Sequence, residues 1–130
     1  MEATLTRSQV VRMIAFGIAV WFIGAIMVRF ARQFDLLGAL MPVTYLATLP
    51  IMTVTVWLGK RIGGLQGGQY VSGVALATAA AIACDGLVIP LYPALYGGPG
   101  EDLARGAAWI LFAGAMGFVA PLWSLARGRR

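Results

Sequence analysis

The sequence predicts an all-α integral membrane protein, a bundle of four short hydrophobic helices joined by short loops. Of its 130 residues, 60% are apolar and only 12% are charged, whereas a soluble domain carries about 25% charged residues. The apolar residues also form long blocks, as in lipid-facing helices, rather than the stripe of an amphipathic helix. We therefore expect residues 1–130 to form one membrane domain that has the lipid bilayer as its main partner.

Four apolar blocks define the predicted spans, at residues 13–28, 36–58, 70–95 and 107–125. Spans of roughly 16 to 26 residues can cross a hydrocarbon core about 30 Å thick with some tilt. Pro50 lies in the middle of the second span and is expected to kink it, because proline removes a backbone hydrogen bond. A basic start before an apolar run is also typical of a signal peptide, but no small-x-small cleavage site follows the first run. It is therefore predicted to be a retained helix.

The basic residues of the loops predict the orientation of the spans. The two termini and the loop between the second and third spans carry seven of them: Arg7, Arg12, Lys60, Arg61, Arg127, Arg129 and Arg130. The opposite two loops carry three: Arg29, Arg32 and Arg105. Because basic loops stay on the cytoplasmic side, both termini are predicted to be cytoplasmic.

Small residues predict where the helices pack, since helices in lipid associate by close backbone approach. In the third span, small residues and one carboxylate recur at every fourth position: Gly73, Ala77, Ala81 and Asp85. The first span has the same spacing at Gly17, Trp21, Ala25 and Arg29. Residues four apart lie on one side of a helix, so these two faces are predicted to meet.

Asp85 is the candidate functional residue of this arrangement. A carboxylate inside a span costs roughly 2.5 to 3.5 kcal/mol, so a partner is expected. Arg29 stands at a similar depth in the first span, and Arg32 follows one turn later. We predict an ion pair of Asp85 with Arg29 or Arg32. It either fixes the helix register or serves as a coupling site for a proton or cation.

The other polar and aromatic side chains of the spans have structural interpretations. The threonines of the second span satisfy carbonyls freed by Pro50 or line a narrow polar path; they are Thr44, Thr48, Thr53 and Thr55. Aromatic residues near the span ends are predicted to be interfacial anchors. These are Trp57, Trp109, Trp123, Tyr92 and Tyr96.

Several classes of chemistry are excluded by composition. The chain has no His, no Asn and a single cysteine, Cys84, which excludes an internal disulfide, a Cys-x-x-Cys centre and the usual haem and zinc sites. It also lacks a phosphate-binding loop motif. The net charge of +5 resides at the edges of the apolar blocks, a placement that fits anionic lipid headgroups rather than nucleic acid. We predict no cofactor, no metal and no enzymatic activity.

Two segments, Trp21–Arg29 and Cys84–Tyr96, resemble small bacterial four-span membrane proteins of a family of unknown function. The second segment contains Cys-Asp-Gly, a proline, and then Tyr-Pro-Ala-Leu-Tyr. The resemblance implies a bacterial inner-membrane location and brings no activity with it.

Two functions remain open from the sequence. The first is a protein without enzymatic activity that acts through helix packing, as a homo-oligomer or as an accessory subunit of a membrane complex. The second is a small oligomeric transporter or channel that uses Asp85 with Arg29.

Overall fold

A computed structural model describes residues 4–128, which form helices, turns and loops and no strand. The elements are α1 (Arg7–Gln33), α2 (Met41–Gly63), α3 (Gln69–Leu91), the short 3-10 helix η1 (Pro93–Tyr96), α4 (Glu101–Met116) and α5 (Val119–Gly128). Four segments are long and apolar enough to cross a bilayer: α1, α2, α3 and the α4–α5 segment. The predicted all-α fold is confirmed. Arg129 and Arg130, which contribute to the charge bias, lie outside the described residues.

Helix α1 is longer at both ends than the apolar block that predicted it. Its start is fixed by a capping box, in which Gln9 N donates to Thr6 Oγ1 at 3.2 Å and Thr6 N donates to Gln9 Oε1 at 2.9 Å. This reciprocal pair satisfies backbone donors that a helix start leaves free. Polar residues that form helices well therefore extend α1 beyond the predicted 13–28.

The third helix ends earlier than predicted, at Leu91 rather than at residue 95. Tyr92 has a φ of −147° and a ψ of 67°, outside the helical region. The ring of Pro93 explains this, since a proline disfavours helical geometry in the residue before it. The chain then turns into η1.

The fourth predicted span is two helices, with a turn at residues 117–118. Pro121 explains the break, because it has no N–H to donate to the carbonyl of Gly117, four residues earlier. Helix α4 begins at Glu101, before the predicted residue 107. Glu101 and Asp102 fill its first turn, where negative charge complements the helix dipole.

Pro50 does not interrupt α2, which continues to Gly63. The helix ends at Gly64, whose φ of 60° and ψ of 39° are left-handed. A glycine adopts this conformation without the steric cost that a Cβ carries. The short loop that follows returns the chain into α3, antiparallel to α2.

Helix α1 lies at the centre of the bundle, packed most extensively against α3. A Cβ added to Gly17 would overlap the backbone of Ala77, so these two helices are in backbone contact. On other sides of α1, two more glycines allow close packing. A Cβ added to Gly59 of α2 would overlap Phe16 of α1, and one added to Gly106 of α4 would overlap Val28 of α1. Small residues therefore allow three helices to approach α1 closely.

The predicted small-residue faces meet in part. Gly17, Ala25, Gly73 and Ala77 are buried, and Trp21 and Ala81 are partly buried. Gly73, however, faces the Leu65 side chain, which a Cβ at this position would overlap. The loop before α3 folds back and covers Gly73 with Leu65. The structure thus places Leu65, rather than a residue of α1, nearest to Gly73.

Candidate functional site

Asp85 lies on α3 with only 7% of its surface exposed. Its Oδ1 accepts a 2.6 Å hydrogen bond from the hydroxyl of Tyr96. That hydroxyl in turn accepts from the indole Nε1 of Trp21 at 2.9 Å. The resulting aspartate network, Trp21–Tyr96–Asp85, joins α1, η1 and α3.

The backbone break after α3 brings Tyr96 into this network. Pro93 starts η1, and Tyr96 at its end has no exposed surface. Gly97 and Gly98 follow with φ angles of 98° and 115°, a region that residues with a Cβ rarely adopt. The turn of 92–98 therefore folds the chain back so that Tyr96 inserts beside Asp85.

Arg32 holds this turn in place. Its Nη1 donates to the carbonyls of Tyr96 at 3.1 Å and Gly98 at 2.5 Å, and its Nη2 donates to the carbonyl of Pro99 at 3.3 Å. Its Nε lies 3.9 Å from Asp102 Oδ2 on α4. One side chain of α1 thus satisfies three loop carbonyls that no helix or strand satisfies.

The predicted ion pair of Asp85 with Arg29 or Arg32 is not formed within residues 4–128. The guanidinium of Arg32 is engaged by carbonyls and Asp102. Arg29 is exposed, and no described residue forms a hydrogen bond or ion pair with it. Residues four apart advance about 400° around a helix, so each step drifts by roughly 40°. After three steps from Gly17, Arg29 has rotated off the contact face. The buried position beside it belongs to Val28.

A second network also starts with an indole N–H that donates to a hydroxyl, but its final acceptor is a backbone carbonyl. Trp109 Nε1 on α4 donates to Thr48 Oγ1 on α2 at 2.8 Å, and this hydroxyl donates to the carbonyl of Thr44 at 2.8 Å. Trp109 is 8% exposed. This threonine network, Trp109–Thr48–Thr44, joins α4 to α2 through neutral groups alone.

Two of the five predicted interfacial anchors are therefore core residues. Tyr96 and Trp109 are buried and hydrogen-bonded, and their interpretation as anchors is wrong. The other three remain exposed, as an anchor requires; they are Trp57, Trp123 and Tyr92. The sequence signal for Tyr96 is its place between a Tyr-Pro pair and two glycines, which marks a turn.

The threonine hydroxyls of α2 all donate to main-chain carbonyls. Thr48, Thr53 and Thr55 each bond the carbonyl four residues earlier, and Thr44 bonds the carbonyls of Leu36 and Leu40. The carbonyl that Pro50 frees is that of Leu46, and no described hydroxyl bonds it. The threonines thus satisfy backbone acceptors other than the predicted one.

The electrostatics of the aspartate network favour a protonated phenol. Burial, together with the hydrogen bond to Asp85, raises the pKa of Tyr96 well above its ordinary value of 10.0. The phenol therefore keeps its proton and remains a donor to Asp85. The arrangement can hold a carboxylate by hydrogen bonding from a neutral donor, without a cation.

The described residues contain no group of three or more His, Cys, Asp or Glu side chains placed to hold a metal. Cys84, beside Asp85, is a free, partly buried thiol. The candidate site is thus the aspartate network itself, in which Asp85 was predicted and Tyr96 and the donor role of Trp21 were not. Compared with family models, curated proteins and solved structures, the chain has no significant match, and its resemblance to a four-span family stays a prediction.

Proposed function

We propose that this chain is an integral membrane protein without enzymatic activity that acts through helix packing, as a homo-oligomer or as an accessory subunit of a membrane complex. Four helices of sufficient length and hydropathy support the membrane location. The excess of basic residues in the two termini and near the turn between α2 and α3 supports cytoplasmic termini. The resemblance to bacterial four-span proteins is the basis for placing the chain in a bacterial inner membrane.

The observation that carries this proposal is the outward face of α3. Four exposed small residues of α3 are spaced three or four positions apart, which places them on one face. They are Ala75, Ala79, Ala83 and Gly86. A Cβ added to Gly86 would meet no atom within 4 Å. The face towards α1 is already filled, so this second small-residue face is open to close approach by a helix of another chain.

Crosslinking in native membranes tests this proposal, with Ala83→Leu as the variant and Ala19→Leu as its matched control. Both residues are exposed alanines of long apolar helices, and only Ala83 belongs to the outward α3 face. Ala83→Leu is expected to reduce the crosslinked complex severalfold, and Ala19→Leu to leave it unchanged. Capture of monomers alone from the unmodified protein, or equal loss in both variants, contradicts the proposal.

A second candidate is a small transporter in which Asp85 couples flux to protons. The observation that favours it is that Asp85 is a buried carboxylate without a cationic partner among the described residues. Ionisable residues within membrane spans frequently mark proton relays. Since Arg29 is separate from Asp85, the Tyr96 hydroxyl would be the group hydrogen-bonded to the coupling carboxylate.

Asp85→Asn in proteoliposomes separates the two candidates. The amide oxygen can still accept the hydrogen bond from Tyr96, so the fold is expected to persist, as judged by helical circular dichroism. A transporter loses proton-coupled flux in this variant. If the unmodified protein carries no proton-coupled flux for any solute class tested, the transporter candidate fails and the packing proposal is unaffected.

A further inference from the structure

We propose that Arg29 and the surface depression beside it bind a phosphate group, the chemistry shared by phospholipid headgroups and free phosphate. The depression has a volume of about 400 Å³ and lies between the last turns of α1 and the turn after α3. Its lining residues are Arg29, Arg32, Gln33, Ala94, Gly97 and Gly98. Two arginines therefore line one site, and none of its lining residues is acidic.

The charge balance at this end of the bundle leaves Arg29 available. Arg32 is engaged by loop carbonyls and Asp102, and Arg105 pairs with Glu101 at 2.9 Å. Arg29 has neither an ion pair nor a hydrogen bond within the described residues. An exposed guanidinium with five free donors is suited to bidentate contact with phosphate oxygens.

The surroundings of the depression favour a phosphate carried by lipid. Phe30 and Phe34, next to Arg29 and Gln33 on α1, are exposed, Phe34 by 66%. Leu91 and Tyr92 are also exposed where α3 ends. Apolar side chains beside a free cation are typical of the level at which hydrocarbon meets headgroups. This inference rests on the membrane location proposed above and is independent of the oligomeric state.

Lipid retention by the purified full-length protein tests the site. The protein is incubated in detergent with phosphatidylglycerol, and the lipid that remains bound is counted by native mass spectrometry. Arg29→Gln is expected to reduce retained lipid about fivefold, the effect of one basic residue at an anionic surface. Arg12→Gln is the matched control, because Arg12 is also an exposed arginine of α1, near its other end.

Further arms identify the source of the phosphate. If millimolar inorganic phosphate displaces the lipid from the unmodified protein, the site takes free phosphate. If it does not, the site takes the lipid headgroup. Arg29→Lys keeps the charge but loses the bidentate guanidinium, so it is expected to retain more lipid than Arg29→Gln and less than the unmodified protein. This intermediate result separates loss of the site from loss of the fold.

Equal retention by the unmodified protein and Arg29→Gln overturns the inference, as does an equal loss in Arg12→Gln. Failure of the chain to enter membranes at all would instead refute the proposed membrane location. If crosslinking captures only monomers while lipid is still retained, the packing proposal fails and the phosphate site stands. The failures of the two proposals are therefore distinguishable.

Discussion

The aspartate network and the threonine network are two solutions to the same packing problem. In each, an indole N–H donates to a hydroxyl on another element, at 2.9 Å and 2.8 Å respectively. The difference lies in what the hydroxyl donates to. In the first network it is the carboxylate of Asp85, and in the second it is the carbonyl of Thr44 within the same helix.

The aspartate network therefore holds an acceptor that can carry a negative charge, whereas the acceptor of the threonine network is always neutral. A helix carbonyl already accepts a backbone hydrogen bond, so the threonine hydroxyl adds a second, weaker interaction. The carboxylate of Asp85 depends on Tyr96, since no cation among residues 4–128 compensates it. A buried charge-capable group that loses its donor is among the most costly defects in a protein.

Removing the hydroxyl of the aspartate network is therefore expected to have the largest effect. Tyr96→Phe keeps the ring packing and leaves Asp85 without its donor, which should lower the free energy of unfolding by about 2 to 4 kcal/mol. Denaturant titration in mild detergent measures this change. Tyr92→Phe is the matched control, because Tyr92 is 62% exposed, and it should change stability by less than about 0.5 kcal/mol. Equal losses of stability in Tyr96→Phe and Tyr92→Phe would mean that the hydrogen bond to Asp85 does not carry the expected effect.

A double-mutant cycle should trace that cost to Asp85. If Tyr96→Phe is harmful because it strands the carboxylate, then adding Asp85→Asn removes the charge that is stranded. The double variant should be more stable than the sum of the single changes predicts by roughly 1 to 2 kcal/mol. Additive losses in the same titration would mean that Tyr96 stabilises the fold through contacts other than this hydrogen bond.

The corresponding change in the threonine network is expected to be smaller. Thr48→Val keeps the branched shape and leaves the Trp109 N–H without its acceptor, at a cost of about 1 kcal/mol, the typical net contribution of one hydrogen bond. Thr53→Val is the control, since Thr53 bonds only its own helix. Its effect should be under about 0.5 kcal/mol. A loss of stability in Thr48→Val as large as that in Tyr96→Phe would contradict the prediction that the aspartate network contributes more to stability.

The parts of the fold that follow from local pattern could be predicted from the sequence. The four apolar blocks locate the helices, and the small residues Gly17 and Ala77 identify the closest helix contact. Both signals act within one helix, where spacing alone decides which side chains share a face. Asp85 was also identifiable, because a carboxylate in an apolar run is conspicuous.

The partners of Asp85 could not be predicted by spacing, for two physical reasons. The drift of about 40° at each step of four residues turns Arg29 away from the face that begins at Gly17. Tyr96 reaches Asp85 only because the backbone breaks at Tyr92, and a break changes direction in a way that helical periodicity does not describe.

The apolar pattern misplaces Trp109 because it starts the fourth helix too late. The apolar block begins near residue 107, so Trp109 resembles a residue at a span end. The charged first turn extends α4 back to Glu101. Trp109 is then well inside the helix, at the level of Thr48, and its indole N–H meets a hydroxyl rather than a headgroup.

The pH dependence of stability gives the finest test of the comparison, because only the aspartate network contains titratable groups. The raised pKa of Tyr96 means that the folded protein keeps the phenol proton at a pH where the unfolded chain loses it. The unfolded state then binds fewer protons, so stability falls as pH rises through 10, by about 0.4 kcal/mol at pH 10 itself. Thr48→Val should show the same decline in unfolding free energy, and Tyr96→Phe should lack this part of it. Identical slopes in Tyr96→Phe and the unmodified protein would mean that Tyr96 ionises as it does in water and would contradict the raised pKa.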